Sequence, residues 1–179
     1  DERAVARFNS SRELFRSLIR EHPSFEGARE KHKVALLDVC AGTGIAASAM
    51  AKALSEEGIE TKITAVDARK SDLLKIEEWL KFAGLKSVEF EIIAADAEEL
   101  PDMLKGNYDV ILIWGSSMPH FDPWSAAKII AGIKELSNRD SVLLIEQRDI
   151  KSKLLLANQF RRILIEGAVE ENGSAISPS

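Results

Sequence analysis

A single cysteine, Cys40, stands in the 179 residues. It leaves no partner for an intramolecular disulfide and no set of thiolates for a Cys-based zinc site. A surplus of positive charge is also missing. Lys and Arg number 24 against 29 Asp and Glu, a formal net charge of −5, whereas nucleic-acid-binding domains usually carry a basic surface. Nucleic acid is therefore not expected as a partner. No apolar run approaches the ~20 residues of a membrane span, and the opening DERAVARFNSS lacks the apolar core of a signal peptide. A cytoplasmic protein without membrane contact is the expectation. Internal repeats and low-complexity linkers are absent too. What is present, 45% hydrophobic and 30% charged residues, is an ordinary globular composition, and the length suits one domain, 1–179, with a sizeable core.

The most informative stretch is VALLDVCAGTGIAA, Val34 to Ala47. Its apolar opening is long enough for a buried strand and short for a helix. Gly42 and Gly44 follow, free to take positive φ and to let the backbone pass close to a ligand. Small residues then continue as good helix material. A helix starting there would aim free N–H groups and the positive end of its dipole at that ligand. Something nucleotide-like is implied.

Along the rest of the chain, strands alternate with helices. Residues 3–20 carry apolar residues at helical spacing and predict one or two amphipathic helices, broken or capped near Asn9-Ser10-Ser11 and ended by His22-Pro23. Residues 1–30 thus form an N-terminal helical cap. After the glycine turn a helix should reach Glu57 and stop at Gly58. Thr61 to Asp67 reads as a second strand, Arg69 to Phe82 as a helix closed by Gly84, and Val88 to Ala94 as a third strand followed by Asp96. A short helix over 97–105 is interrupted near its start by Pro101. Tyr108 to Trp114 is the most apolar strand, expected inside the sheet. Residues 115–121 form a loop, and Asp122-Pro123 starts a helix to about Leu136. Asn138-Arg139-Asp140 reads as a turn before the strand 141–146. Trp79 and Trp124 are assigned to packing between helix and sheet. Residues 151–165 read as a helix, and Asn172-Gly173 could turn a hairpin. The whole predicts an α/β fold, a three-layer α/β/α sandwich around a mostly parallel, doubly wound Rossmann-like sheet, with function in the loops at the strands' C-terminal ends.

GTGIAA satisfies a dinucleotide fingerprint, and Asp67 lies at roughly the distance expected of a ribose-binding acid. On that motif alone two cofactor classes compete. Three features weigh against a dinucleotide. Asp38, an acid at the strand end, suits a ligand with a positive charge rather than an anionic pyrophosphate. Asp96-Ala97 follows the third strand and can accept from an exocyclic amine. Trp114-Gly115-Ser116-Ser117 ends the fourth strand, where a ligand's reactive end could meet a second substrate.

Taken together, LLDVCAGTG, ITAVD, IIAADAEEL, YDVILIWGSSMPHF and SVLLIEQRD, in this order over residues 34–147, resemble the motif series of class I S-adenosylmethionine-dependent methyltransferases. Two departures stand out. Cys40 occupies a position where the family often has glycine, and the final antiparallel strand pair is only hinted at, so 148–179 looks like an incomplete edge.

The resemblance implies roles residue by residue. Cys40, Ala41, Gly42 and Gly44 would form the turn against the donor, with Asp38 orienting it and receiving the ammonium. Asp67 would hold the ribose hydroxyls, flanked by Ala68, and Asp96 with the backbone of Ala97 would read the adenine. Trp114 is placed equally well on the cofactor or in the core. His120 is the first candidate for a general base and Glu146 the second. The N-terminal segment could act as a lid, with Arg7 or Arg12 near a carboxylate, or simply pack as a helix at the sheet edge. No Asn-Pro-Pro-Tyr follows the fourth strand, so the expected acceptor is a small molecule, with a protein substrate as the second choice. An NAD(P)-dependent oxidoreductase and a non-catalytic methyltransferase-like binding subunit are the alternative functions.

Overall fold

A computed structural model describes residues 1–147. Helix α1, Glu2–Glu21, is capped by Asp1, and a 3-10 turn (Pro23–Phe25) with the short α2 (Glu26–Arg29) leads into β1, Lys33–Val39. Then come α3 (Ile45–Glu56), β2 (Glu60–Asp67), α4 (Lys70–Leu73), α5 (Ile76–Phe82) and β3 (Glu89–Ala94). The series ends with α6 (Leu100–Met103), β4 (Tyr108–Ile113), α7 (Pro123–Glu135) and β5 (Ser137–Ile145).

The five strands form one sheet in the order β3-β2-β1-β4-β5, and every pairing is parallel. This is the predicted α/β architecture with helices on both faces. β1 shows why both faces are needed. Val34 and Leu36 turn into the core shared with α1, α3 and α5, and Leu37 and Val39 turn into the core shared with α6 and α7. Successive side chains of a strand alternate between faces. Every residue from Leu36 to Val39 is fully buried, including Asp38.

Several expectations are corrected. α1 runs without a break through Asn9-Ser10-Ser11. The Ser10 hydroxyl donates back to the Arg7 carbonyl of the same helix, and buried Ser11 accepts from the Trp114 indole, so both hydroxyls find partners without breaking the helix. The helix predicted over 69–82 is two pieces. Around the break, Lys75 and Glu78 donate to carbonyls three residues back, and Leu74 and Phe82 of the predicted apolar stripe are exposed. Pro101 starts α6 rather than interrupting it, because a first-turn residue needs no N–H partner. The predicted turn at 138–140 belongs to β5, whose residues 138–141 face the single Asp109 of β4. Asn138 donates to the Asp109 carboxylate, and Ser141 donates to the Tyr108 carbonyl, which holds this bulge to β4. Trp124 is 85% exposed, not packed under a helix. Trp79 packs between helices, stacked on Phe8 of α1 with centroids 5.8 Å apart. The helix and hairpin expected within 148–179 lie outside the described residues.

α1 is attached by more than charge. Arg12 pairs with Glu56, and Arg16 and Arg20 pair with Glu57, at 3.6, 3.2 and 2.7 Å. Such half-exposed pairs contribute little each. Phe8, Phe15 and Ile19 instead bury their side chains against α3 and the sheet, with Phe15 edge-on to Trp114 at 4.7 Å. Truncating Phe15 to alanine should cost about 3–5 kcal/mol of stability, the usual price of a large core cavity. Urea unfolding measures it, and a loss below about 1 kcal/mol would make α1 a peripheral attachment rather than a part of the core.

Candidate functional site

The strand order reverses between β1 and β4, and open parallel sheets bind ligands outside their strands' C-terminal ends at such a point. The backbone there is dominated by left-handed residues. Cys40, Gly42 and Gly44 have φ of 60°, 55° and 77°. The position where a glycine is commonly found therefore needs a left-handed residue, and Cys40 adopts that conformation at a strain on the order of 1 kcal/mol. A Cβ on Gly44 would stand 2.4 Å from Ile76, so this glycine is fixed by packing as well as by φ.

Hydrogen bonds tie the turn to β2. The Ala41 N–H donates to the Val66 carbonyl at 2.9 Å, and the Gly42 N–H donates to Asp67 Oδ2 at 2.8 Å. Asp67 Oδ1 accepts from the Arg69 backbone at 2.9 Å and from its guanidinium at 3.2 Å. Burial alone would raise this carboxyl's pKa. The donors from Arg69 and Gly42 outweigh that, and the pKa lies below the ordinary aspartate value.

Asp38 goes the other way. It is fully buried, and burial is the main cause that pushes its pKa up to about 7. The Ala47 N–H at the start of α3 donates to Oδ2 at 3.1 Å and lowers it in part, Asp67 raises it further, and Arg7 lowers it. Its other oxygen, Oδ1, has no hydrogen-bond partner among the described residues. A buried acceptor without a partner costs about 1–3 kcal/mol, which makes Oδ1 a ready receiver for a cationic donor.

A cavity of about 410 Å³ opens beside the turn, within the usual range for small-ligand sites. It is lined by six of the predicted residues: Cys40, Asp67, Ala68, Asp96, Ala97 and His120. Asp96 also caps the following turn, its carboxylate accepting from the Glu98 N–H at 3.0 Å. Burial, then Asp67, Asp38 and Asp96, push the Cys40 thiol up to about 12, so it stays protonated. A larger groove of about 540 Å³ lies at the opposite end of the strands, around Lys33, Glu60 and Ser87. None of the predicted residues reaches it.

Six predicted residues are not on this lining: Asp38, Ala41, Gly42 and Gly44 in β1 and the turn after it, and Trp114 and Glu146 at the ends of β4 and β5. The Trp114 ring lies against Phe15, and its indole N–H donates to Ser11 at 3.2 Å. Glu146 ends β5 beside β4, where Oε2 accepts from the Gly115 N–H at 2.6 Å. His120 and Glu146 are thus not brought together on one lining. Five further residues belong to the cavity: Val66, Arg69, Ala95, Ser117 and Phe121. Arg69 was legible as the cation two residues after the strand-end acid Asp67. Ser117 and Phe121 depend on how the loop after β4 folds back, which no local pattern encodes.

Residues 36–140 match the family model described as a methyltransferase domain. A search of curated proteins finds no match. Among solved structures, an rRNA methylase from Streptococcus thermophilus aligns at 16% identity over 77% of this chain and 79% of its own, with a TM-score of 0.50. An O-methyltransferase family protein from Burkholderia thailandensis aligns at 15% over 88% and 46%, with a TM-score of 0.56. A precorrin-6y C5,15-methyltransferase from Geobacter metallireducens aligns at 17% over 82% and 66%, with a TM-score of 0.53. At these identities the likeness is one of fold.

The raised pKa of Asp38 carries a pH dependence. Below its unfolded value of 3.8 both states are protonated and this group's stabilisation is full, and it is lost as pH rises through about 7. Raising pH from about 4 to about 8 should therefore lower the urea midpoint of the wild type relative to Asp38→Asn. A gap between the two proteins that stays constant over that range would rule out the raised pKa.

Proposed function

The chain belongs to the methyltransferase-domain family, and from that premise we propose that it transfers a methyl group from S-adenosylmethionine to a small-molecule acceptor. The enzyme class and the donor follow from the family. The observation that carries the site assignment is the cavity where the ends of β1, β2 and β3 meet, with Cys40, Asp67 and Asp96 on one lining.

The residues present fit the donor. Oδ1 of Asp38 is a buried acceptor without a partner among the described residues, suited to an ammonium. Asp67 uses three donors from the protein, Gly42 N–H and two from Arg69. A carboxylate has about four acceptor positions, so ribose hydroxyls would compete with the half-free Arg69 side chain for this group. Gly42 keeps the turn clear of side-chain atoms, and Asp96 with the Ala97 backbone suits the adenine edge. When bound, S-adenosylmethionine supplies a methyl group on a sulfonium, a carbon that needs only an aligned nucleophile. The protein's task is then to position and desolvate the acceptor.

The small-molecule reading rests on Gly115-Ser116-Ser117 after β4, in place of an Asn-Pro-Pro-Tyr segment, and on the net charge of −5. An acceptor that must lose a proton needs a base. His120 is the better candidate, because Oε2 of Glu146 is committed to the Gly115 N–H.

Asp67→Ala should weaken S-adenosylhomocysteine binding by about 1–3 kcal/mol through unpaired ligand hydroxyls. Titration calorimetry reads this, with NADH as the control. Tight NADH binding without any response to S-adenosylhomocysteine would sink the donor assignment. For His120→Ala we expect kcat on a proton-losing acceptor to fall about 10²–10⁴-fold with S-adenosylhomocysteine affinity unchanged. Weakened affinity with unchanged kcat would make His120 a wall of the adenosine cavity instead.

A further inference from the structure

The arginines of α1 do not all serve the same end. Arg12, Arg16 and Arg20 pair with Glu56 and Glu57 at the far end of α3. Arg7 is turned towards the sheet's C-terminal edge. Its Nη2 lies 2.4 Å from where a Cβ on Gly115 would stand, so the guanidinium rests directly on that glycine. Gly115 has a φ of 94°, a backbone conformation that disfavours any side chain there.

The guanidinium makes no hydrogen bond among the described residues. Its nearest carboxylate oxygen, Glu146 Oε2, is 4.0 Å away and already accepts from the Gly115 N–H at 2.6 Å. A half-exposed guanidinium, at 44%, therefore has its fork of donors unspent at the edge where β1 and β4 diverge. Two neighbours are unspent as well. The Ser116 hydroxyl is buried without a partner among the described residues, in a residue held at φ 59°. Asp38, whose pKa the Arg7 charge lowers, has an Oδ1 without a hydrogen-bond partner among the described residues.

We propose that Arg7, seated on Gly115 beside the Ser116 hydroxyl, is the carboxylate receptor of the reaction site. This rests on the methyltransferase reading above. Planar guanidinium and planar carboxylate match through paired hydrogen bonds. Glu146 acts as a positioning residue, fixing the Gly115 backbone beneath the guanidinium without saturating it. The carboxylate has two sources, the amino-acid end of the donor or a carboxylate on the acceptor. The cation at Arg7 and the acid at Asp38 together complement an amino-acid end.

Calorimetry on wild type, Arg7→Gln and Arg7→Lys separates the sources, with Arg3→Gln as a same-helix control and melting temperatures as a check on folding. The probes are S-adenosylhomocysteine and its decarboxylated analogue, which keeps the amine. If the donor supplies the carboxylate, Arg7→Gln binds S-adenosylhomocysteine about 10–100-fold more weakly, Arg7→Lys recovers part, and the analogue binds both proteins alike. If the acceptor supplies it, S-adenosylhomocysteine affinity is unchanged. Benzoate, but not benzamide, then raises the melting temperature of the saturated wild type and not that of Arg7→Gln. Equal weakening of both nucleosides, or unchanged affinity with no Arg7-dependent response to benzoate, overturns the assignment. A wild type that binds no S-adenosylhomocysteine sinks the donor reading itself and takes this proposal with it.

Discussion

The hydrogen bond from the Gly42 N–H to Asp67, at 2.8 Å, fixes the turn after β1 against the end of β2. It exists because the chain is left-handed at Cys40, Gly42 and Gly44. A right-handed path would carry the N–H away from β2. The same three residues set where α3 begins, and α3 in turn delivers the Ala47 N–H to Asp38. Moving any of the three therefore disturbs two strands, one helix and both buried acids together. Gly44 adds a steric limit of its own, since Ile76 of α5 fills the space that a side chain would need.

The two acids use burial in opposite ways. Asp67 is surrounded by donors and keeps its charge at neutral pH, with its pKa held below the ordinary value. Asp38 lies deeper, has one donor, and sits with a pKa of about 7. A protein that folded only for stability would gain by replacing the second with an apolar or amide side chain, because a lone buried carboxyl is costly. Keeping an unpaired oxygen at the end of the central strand makes sense when a ligand completes its hydrogen bonding. The cost borne by the free protein then becomes selectivity for a cation.

Much of this was legible in the sequence because it depends on local pattern. Short apolar runs located all five strands, the glycines after α3 and α5 marked their ends, and Asp122-Pro123 marked the start of α7. The acids at strand ends could be read because parallel sheets expose those ends in register. The misreadings came where tertiary partners override local preference. The polar triplet Asn9-Ser10-Ser11 stays helical because its hydroxyls find partners, one of them 103 residues away on Trp114. Residues 138–141 join β5 because Asp109 and Tyr108 of β4 bind them. A proline at 101 looks like a breaker until the helix is known to start there. Ser117 and Phe121 entered the cavity through a loop conformation that no spacing rule predicts.

The position of α1 changes what the reaction site contains. A Rossmann-like sheet on its own offers acids and backbone N–H groups at its C-terminal edge, and in this chain no lysine or arginine stands within the β4–β5 side loops from Trp114 to Gln147 other than Lys128, Lys134 and Arg139 on α7 and the start of β5. A cation near Gly115 must come from another element. α1 supplies it through the geometry of its buried face. Phe8, Ser11 and Phe15 lock the helix to the core and to Trp114. With that face fixed, Arg7, next to Phe8 and four residues before Ser11, reaches the strand end while the later arginines reach Glu56 and Glu57. The core contacts that stabilise α1 thereby also fix where the Arg7 charge stands, beside Gly115 just after β4.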